Sequence, residues 1–330
     1  MLALIFVTAL IVVYALCNYR SLGVNLQQLT LERTLPARGI LALTVIMHHL
    51  SQNKITPPHW LFDELGAVAV GAFFIMSGYG LACSYARKGD DYLKGFLRKR
   101  LWKLMLPFLI AVAAWNVEEL FLYPPERHIE LWLQLLHGGT NGLLPYSWYI
   151  IAAMLFYVFF YIVYRTFHTT RWRLATLFLL WAAYYIWCAK VWQCGGWWCM
   201  TAHMFPLGFV YYHAERYICR INAYVWLMLW LFVGAFSIHY TIPFYSPISH
   251  TAFSLIIIGG ITIFTQYGRV LRFLGHISYE LYIVQGLPFF ALRDSGLHPF
   301  VITMLCVGLD VALAYALHSV VKRIGQPRRA

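Results

Sequence analysis

LPARGILALTVIMHHLSQN, Leu35 to Asn53, is an apolar segment of membrane length that carries an arginine near its start and two histidines near its end. Arg38 and His49 stand eleven residues apart. At ~100° per residue that is three turns plus about 20°, so on a helix they share one face, roughly 16 Å apart along the axis. Ionisable groups are costly in hydrocarbon and face a protein interior or a wet cavity. A cation near one surface and a titratable imidazole deeper in predict a helix that lines a site entered from the arginine's side.

The rest of the chain supplies a matching environment. Of its 330 residues 61% are hydrophobic and only 12% charged, against roughly 25% charged in soluble domains. Lipid must therefore solvate most of the surface. The pattern predicts an all-α, polytopic integral membrane protein with eleven spans, near 2–17, 35–53, 63–86, 104–122, 143–165, 174–190, 197–214, 223–239, 248–266, 275–293 and 299–321. The first segment lacks a positive n-region and a small-residue cleavage site, so it reads as a retained helix. Of the 25 lysines and arginines, all but Lys54, Arg127, Lys190 and Arg293 fall in connections on one side. The positive-inside rule makes that side cytoplasmic, with the N-terminus outside and the C-terminus, a basic tail over 322–330, inside. The net charge of +12 is thus a topology signal, compatible with anionic lipid or a phosphorylated cytosolic substrate and not with nucleic acid. Cys194 and Cys199 flank an outer turn, either as a disulfide or, favoured two to one, as buried thiols.

The residues able to carry chemistry are few. His49 shares the face of Arg38 and suits general-base work near neutrality; His48 lies about 100° away and is a neighbouring candidate for binding substrate. Ser77-Gly78-Tyr79 interrupts the apolar run of the next span, where its backbone and hydroxyls can face a ligand, although small residues there also serve close helix packing. In FLRKRLWKLMLPF, residues 96–108, Arg98, Arg100 and Lys103 enter a helix beside the inner surface. They offer charged donors for phosphate oxygens. Glu118, at the outer end of that span, is a candidate for a hydroxyl-bearing acceptor, and Trp148 for stacking on a sugar. Glu280 and Asp310 are the carboxylates expected inside the membrane, with Tyr282 and Gln285 one turn apart on the helix of Glu280. No metal-ligand spacing is present, and none of the seven cysteines forms a CxxC pattern.

These motifs, in this order, resemble the acyltransferase-3 family of integral membrane acyltransferases. Arg38 to His49 has the spacing of its arginine, ten residues, histidine motif. GAFFIMSGYGL, FLRKRLWKLMLPF, SWYIIAAMLFY and FLGHISYELYIVQGLP resemble its later segments, so that the likeness runs from about residue 33 to 321. Two features depart from the pattern. Gln285 stands where many members carry histidine, and an apolar helix over 1–20 precedes the arginine motif, giving eleven spans where the family bundle has ten. The resemblance implies transfer of an acyl group, commonly acetyl, from cytosolic acetyl-CoA or another acyl-CoA to a hydroxyl of a glycan or lipid-linked acceptor at the outer face. It implies a bacterial-type inner membrane, membrane lipids as surroundings, no metal, and a chain free to form an oligomer. In that scheme Arg38 holds the donor and His49 deprotonates the acceptor or carries the acyl group transiently. The competing readings are a transporter of a small polar or anionic substrate, against which stands the lack of an inverted repeat, and a membrane-bound O-acyltransferase of another family, whose motif order fits less well.

Overall fold

The computed structural model describes residues 19–21, 24–53, 64–239, 245–266 and 268–325. The span expected over 2–17 and the basic tail beyond residue 325 lie outside them. The elements are β1 (Tyr19–Ser21), α1 (Leu31–Gln52), α2 (Leu65–Lys88), α3 (Phe96–Leu122), α4 (Pro125–Leu133), α5 (Trp148–Thr166), α6 (Thr170–Ile186), α7 (Met204–Ile218), α8 (Ala223–His239), α9 (Tyr245–Ile263), β2 (Phe264–Gln266), α10 (Arg269–His276), α11 (Ser278–Val284), α12 (Gly286–Leu292) and α13 (Pro299–Gly325).

The fold is an all-α polytopic membrane bundle. Among the described residues, Leu65–Leu93, Phe96–Leu122, Trp148–Thr166, Thr170–Val191 and Pro299–Ile324 are each long and apolar enough to cross a membrane, with shorter apolar helices at Ala223–Ser237 and Pro247–Ile263. Two features depart from the expectation of uninterrupted spans. The run expected as one span over 275–293 is two short helices, α11 and α12, broken at Gln285 and set off at Ile277 from the end of α10. A two-stranded ribbon also pairs β1 antiparallel with β2, Tyr19 facing Gln266.

Helix α1 sits inside the bundle, not at its rim. Its buried positions include Ala37, Leu41, Ala42, Val45, Ile46 and Leu50, and it packs on α2, α10 and α11. Glycine allows the closest of these approaches. A Cβ on Gly275 would lie 1.9 Å from the Leu35 carbonyl oxygen, so α10 rides directly on the turn of α1 that carries Arg38. On the other flank α2 and α7 touch backbone to backbone, where a Cβ on Gly78 would lie 2.2 Å from the Phe205 oxygen. The close-packing role considered for the small residues of this span therefore holds at Gly78. It fails at Gly80, whose missing Cβ faces open space. Gly78→Ala is expected to destabilise the protein by about 1–3 kcal/mol, because a rigid backbone oxygen cannot give way. Gly80→Ala should not. Thermal unfolding in detergent compares the two.

The segment before α1 is clamped from the side of α7. Glu215 accepts from the Tyr79 hydroxyl at 2.6 Å and from the Leu29 amide at 3.1 Å, while the Leu26 amide donates to the Ile221 oxygen at 3.1 Å. Cys188, Cys194 and Cys199 are buried free thiols gathered in the α6–α7 connection, the second of the two states considered for Cys194 and Cys199.

Candidate active site

A cavity of about 1050 Å³ lies at the basic end of the bundle. Arg38 and Arg100 form part of its wall together with Ser77, Gly80, Tyr149, Tyr157, Tyr279 and Tyr282. Arg87, Lys103 and Lys322, all exposed, stand at its mouth. Five permanent cations thus face one space in which Glu280 is the carboxylate, and Glu280 is already engaged with His318 Nδ1 at 2.8 Å. Tyr149, Tyr157 and Arg100 lie around the Arg38 guanidinium, and no described carboxylate forms an ion pair with it. Arg100 donates to the Tyr92 hydroxyl at 2.9 Å, which steers its fork without neutralising it. A cavity with this excess of planar and point-like cations suits a polyanion such as a nucleotide phosphate chain.

His49 is not part of that cavity's wall. Its ring stacks on Tyr146, centroids 3.7 Å apart and planes 19° from parallel. Its Nδ1 is buried and has no hydrogen-bond partner. An unpartnered ring nitrogen inside a protein is uncommon enough to require a reason, and a substrate hydroxyl is one. The wall between cavity and imidazole is made of tyrosines. Tyr149 meets Tyr282 ring to ring at 5.2 Å, and the Tyr282 hydroxyl donates to the Tyr146 carbonyl at 2.8 Å. Beyond Tyr146 the aromatic file continues through Phe290 to Trp115, at 6.4 and 5.1 Å.

The other sequence-predicted residues divide by location. Arg100, Lys103, Ser77, Tyr79, Glu280 and Tyr282 line the cavity with Arg38, although Tyr79 spends its hydroxyl on Glu215. Arg98 does not; it is exposed on another face of α3, because two residues turn a helix by about 200°. His48, its ring tilted against that of His49 at 4.9 Å, packs on the start of α2, where a Cβ on Gly66 would lie 2.2 Å from it. Trp148 is half-buried against Tyr149 and Trp198 and does not line the cavity. Gln285 caps the break between α11 and α12, donating to the Tyr282 carbonyl at 2.9 Å, with its Oε1 buried and unpartnered. Glu118 sits at the far end of α3 with a buried, unpartnered Oε1, beside Glu119, which meets Arg127 at 3.5 Å. Asp310 is fully buried with neither carboxyl oxygen bonded and does not reach the cavity.

Arg87, His276, His318 and Lys322, absent from the sequence-predicted site, complete the cavity. His318 and Lys322 are four residues apart near the end of α13, a one-face spacing that was open to reading. Nothing local ties Arg87 or His276 to them. Among the described residues no group of histidine, cysteine, aspartate or glutamate has the arrangement of a metal site.

No curated protein and no solved structure matches this chain. Residues 37–318, from the residue before Arg38 to His318, match the acyltransferase domain that defines the acyltransferase-3 family. That stretch contains α2 to α12 entire and all but the two ends of the core formed with α1 and α13, so the chain belongs to the acyltransferase-3 family and is an integral membrane acyltransferase.

Proposed function

We propose that the protein moves an acyl group, acetyl foremost, from acyl-CoA on the cytosolic side to a hydroxyl of a glycan or lipid-linked acceptor on the outer side. The observation that carries this reading is the cavity of about 1050 Å³ walled by Arg38 and Arg100 and rimmed by Arg87, Lys103 and Lys322. Arg87, Arg100, Lys103 and Lys322 hold the nucleotide phosphates, and Arg38, deeper in, holds the donor nearer its thioester. His49 takes the proton of the acceptor hydroxyl, whose oxygen attacks the thioester carbonyl. The carbon–sulfur bond breaks, and the thiolate leaves and takes up a proton. The aromatic file Tyr146, Phe290 and Trp115, with Glu118 and Glu119 beyond it, receives the acceptor. The family resemblance implies a bacterial inner membrane as the setting, and the distribution of basic residues favours a cytoplasmic C-terminus.

Gly80 provides the direct test. It lines the cavity and nothing lies within 4 Å of the Cβ it lacks. Gly80→Leu puts a side chain into the donor's space without a backbone clash and removes a glycine from a helix, worth about 0.8 kcal/mol of added stability. The expected result is acetyl-CoA affinity at least about tenfold weaker, or 1.4 kcal/mol, in a protein that melts no lower than wild type. Titration calorimetry on the detergent-solubilised protein reads it. Unchanged affinity in the variant, or no saturable binding by folded wild type, sinks the donor assignment and leaves flux of a small anion into liposomes as the measurement for a transporter.

A further inference from the structure

Tyr146 adopts a left-handed backbone conformation, φ 62°, which is rare outside glycine, asparagine and aspartate. A bulky residue held there costs free energy and persists only where its surroundings fix it from several sides. Three ties do so, and each comes from an element that carries a part of the site. From α1, the imidazole of His49 stacks on the ring. At the end of the same helix, Asn53 Nδ2 donates both to the Tyr146 hydroxyl at 2.9 Å and to the His49 carbonyl oxygen at 2.7 Å. From α11, Tyr282 donates to the Tyr146 carbonyl. The start of α12 adds a steric stop, since a Cβ on Gly286 would lie 3.0 Å from the Pro145 Cβ.

We propose that Tyr146 is a positioning residue for His49. This inference rests on the reading of His49 as the proton acceptor. A stacked ring covers a face of the imidazole and leaves its edge, which the Gln52 side chain also meets, to in-plane partners. The plane of the imidazole is thereby fixed, and with it the direction in which the partnerless Nδ1 points. The left-handed turn is what allows one residue to present its ring to His49 while its carbonyl faces Tyr282 and the donor cavity. An ordinary extended or helical residue at this point aims the carbonyl elsewhere, and the link between donor wall and imidazole is lost. Tyr146 thus couples the two halves of the site without touching the proton in transit.

Release of free coenzyme A from acetyl-CoA, in the absence of acceptor, is followed for the full-length protein in detergent as wild type, His49→Ala, Tyr146→Phe, Tyr146→Leu and Asn53→Ala. Carbethoxylation of His49 by diethyl pyrocarbonate, resolved by mass spectrometry, is measured on the same samples except His49→Ala. Tyr146→Leu is expected to lower kcat about 100-fold, the effect of misplacing a reacting group by about 1 Å, with the KM for acetyl-CoA unchanged and His49 modified faster than in wild type. Tyr146→Phe keeps the ring and loses one hydrogen bond, so kcat falls by no more than about tenfold. Asn53→Ala, which frees the ring at its hydroxyl end, moves both readouts in the direction of Tyr146→Leu and serves where the leucine variant does not fold. Wild-type kcat and wild-type His49 modification in Tyr146→Leu or Asn53→Ala overturn the positioning role. Full activity in His49→Ala overturns the role of His49 itself, whatever the Tyr146 variants do. Wild type that releases no coenzyme A leaves the His49 modification rates to decide, and equal rates in all variants reject the proposal.

Discussion

His49→Ala is expected to lower acyl transfer about 1,000-fold, near the middle of the range for loss of a positioned general base, while acetyl-CoA binds as it does to wild type. In barrier terms this is roughly 4 kcal/mol. Binding survives because the imidazole stands outside the donor cavity, behind Tyr149 and Tyr282. His48→Ala provides the contrast. That ring is spent on packing against Gly66, so its loss is expected to lower stability and leave kcat near wild type. Steady-state turnover and equilibrium binding on the two variants check the assignment. Equal losses of kcat in both reject the division of labour between neighbouring histidines. Acyl-imidazole trapped at His49 during turnover would select transfer through the enzyme over direct attack by the acceptor.

Arg38→Ala is expected to show the opposite profile, with acetyl-CoA affinity about 30-fold weaker, the scale of one lost hydrogen-bonded charge. Arg38→Lys should recover only part of it, because an ammonium keeps the charge and loses the planar fork. The stability of the ligand-free protein separates a binding role from a structural one. Arg38 has no described carboxylate partner and lies near Arg100, so its removal breaks no ion pair and relieves a like-charge contact. Ligand-free Arg38→Ala is therefore expected to melt at or above the wild-type temperature. A large fall in melting temperature would assign Arg38 to holding the fold. Arg98→Ala, on the exposed face of α3, is expected to bind donor as wild type does.

What was legible in the sequence is what helical periodicity encodes. Arg38 and His49 could be placed on one face because eleven residues close three turns, and Arg100 with Lys103 follows from a three-residue spacing. The same arithmetic applied to Arg98 separates it from that pair. Grouping the three by proximity along the chain ignored it. The break of the late span at Ile277 and Gln285 was harder to see, because an apolar run of membrane length looks continuous whether or not its backbone is. Glu280 is legible as a carboxylate inside the membrane, but its partner His318 is 38 residues away on another helix, and only the packing of α11 on α13 brings them together. Pro145 and Ser147 mark a turn around Tyr146, but neither signals a left-handed tyrosine. Its conformation is set by Asn53, His49 and Tyr282, contacts between distant segments that no local propensity records.

The separation of Arg38 from His49 along α1 has a bioenergetic consequence. Moving one elementary charge through a membrane potential of 100 mV takes about 2.3 kcal/mol. A donor held by Arg38, Arg87, Arg100, Lys103 and Lys322 keeps its phosphates at the basic end. On the proposed function, what reaches His49 is the neutral thioester end of the donor, and the proton taken from the acceptor is matched by the one the departing thiolate gains. In that scheme the phosphates stay outside the field, and the potential exerts no force on the neutral group transferred. Transfer in sealed vesicles should accordingly proceed at the same rate with the membrane polarised or collapsed, as a voltage-independent export of chemical modification.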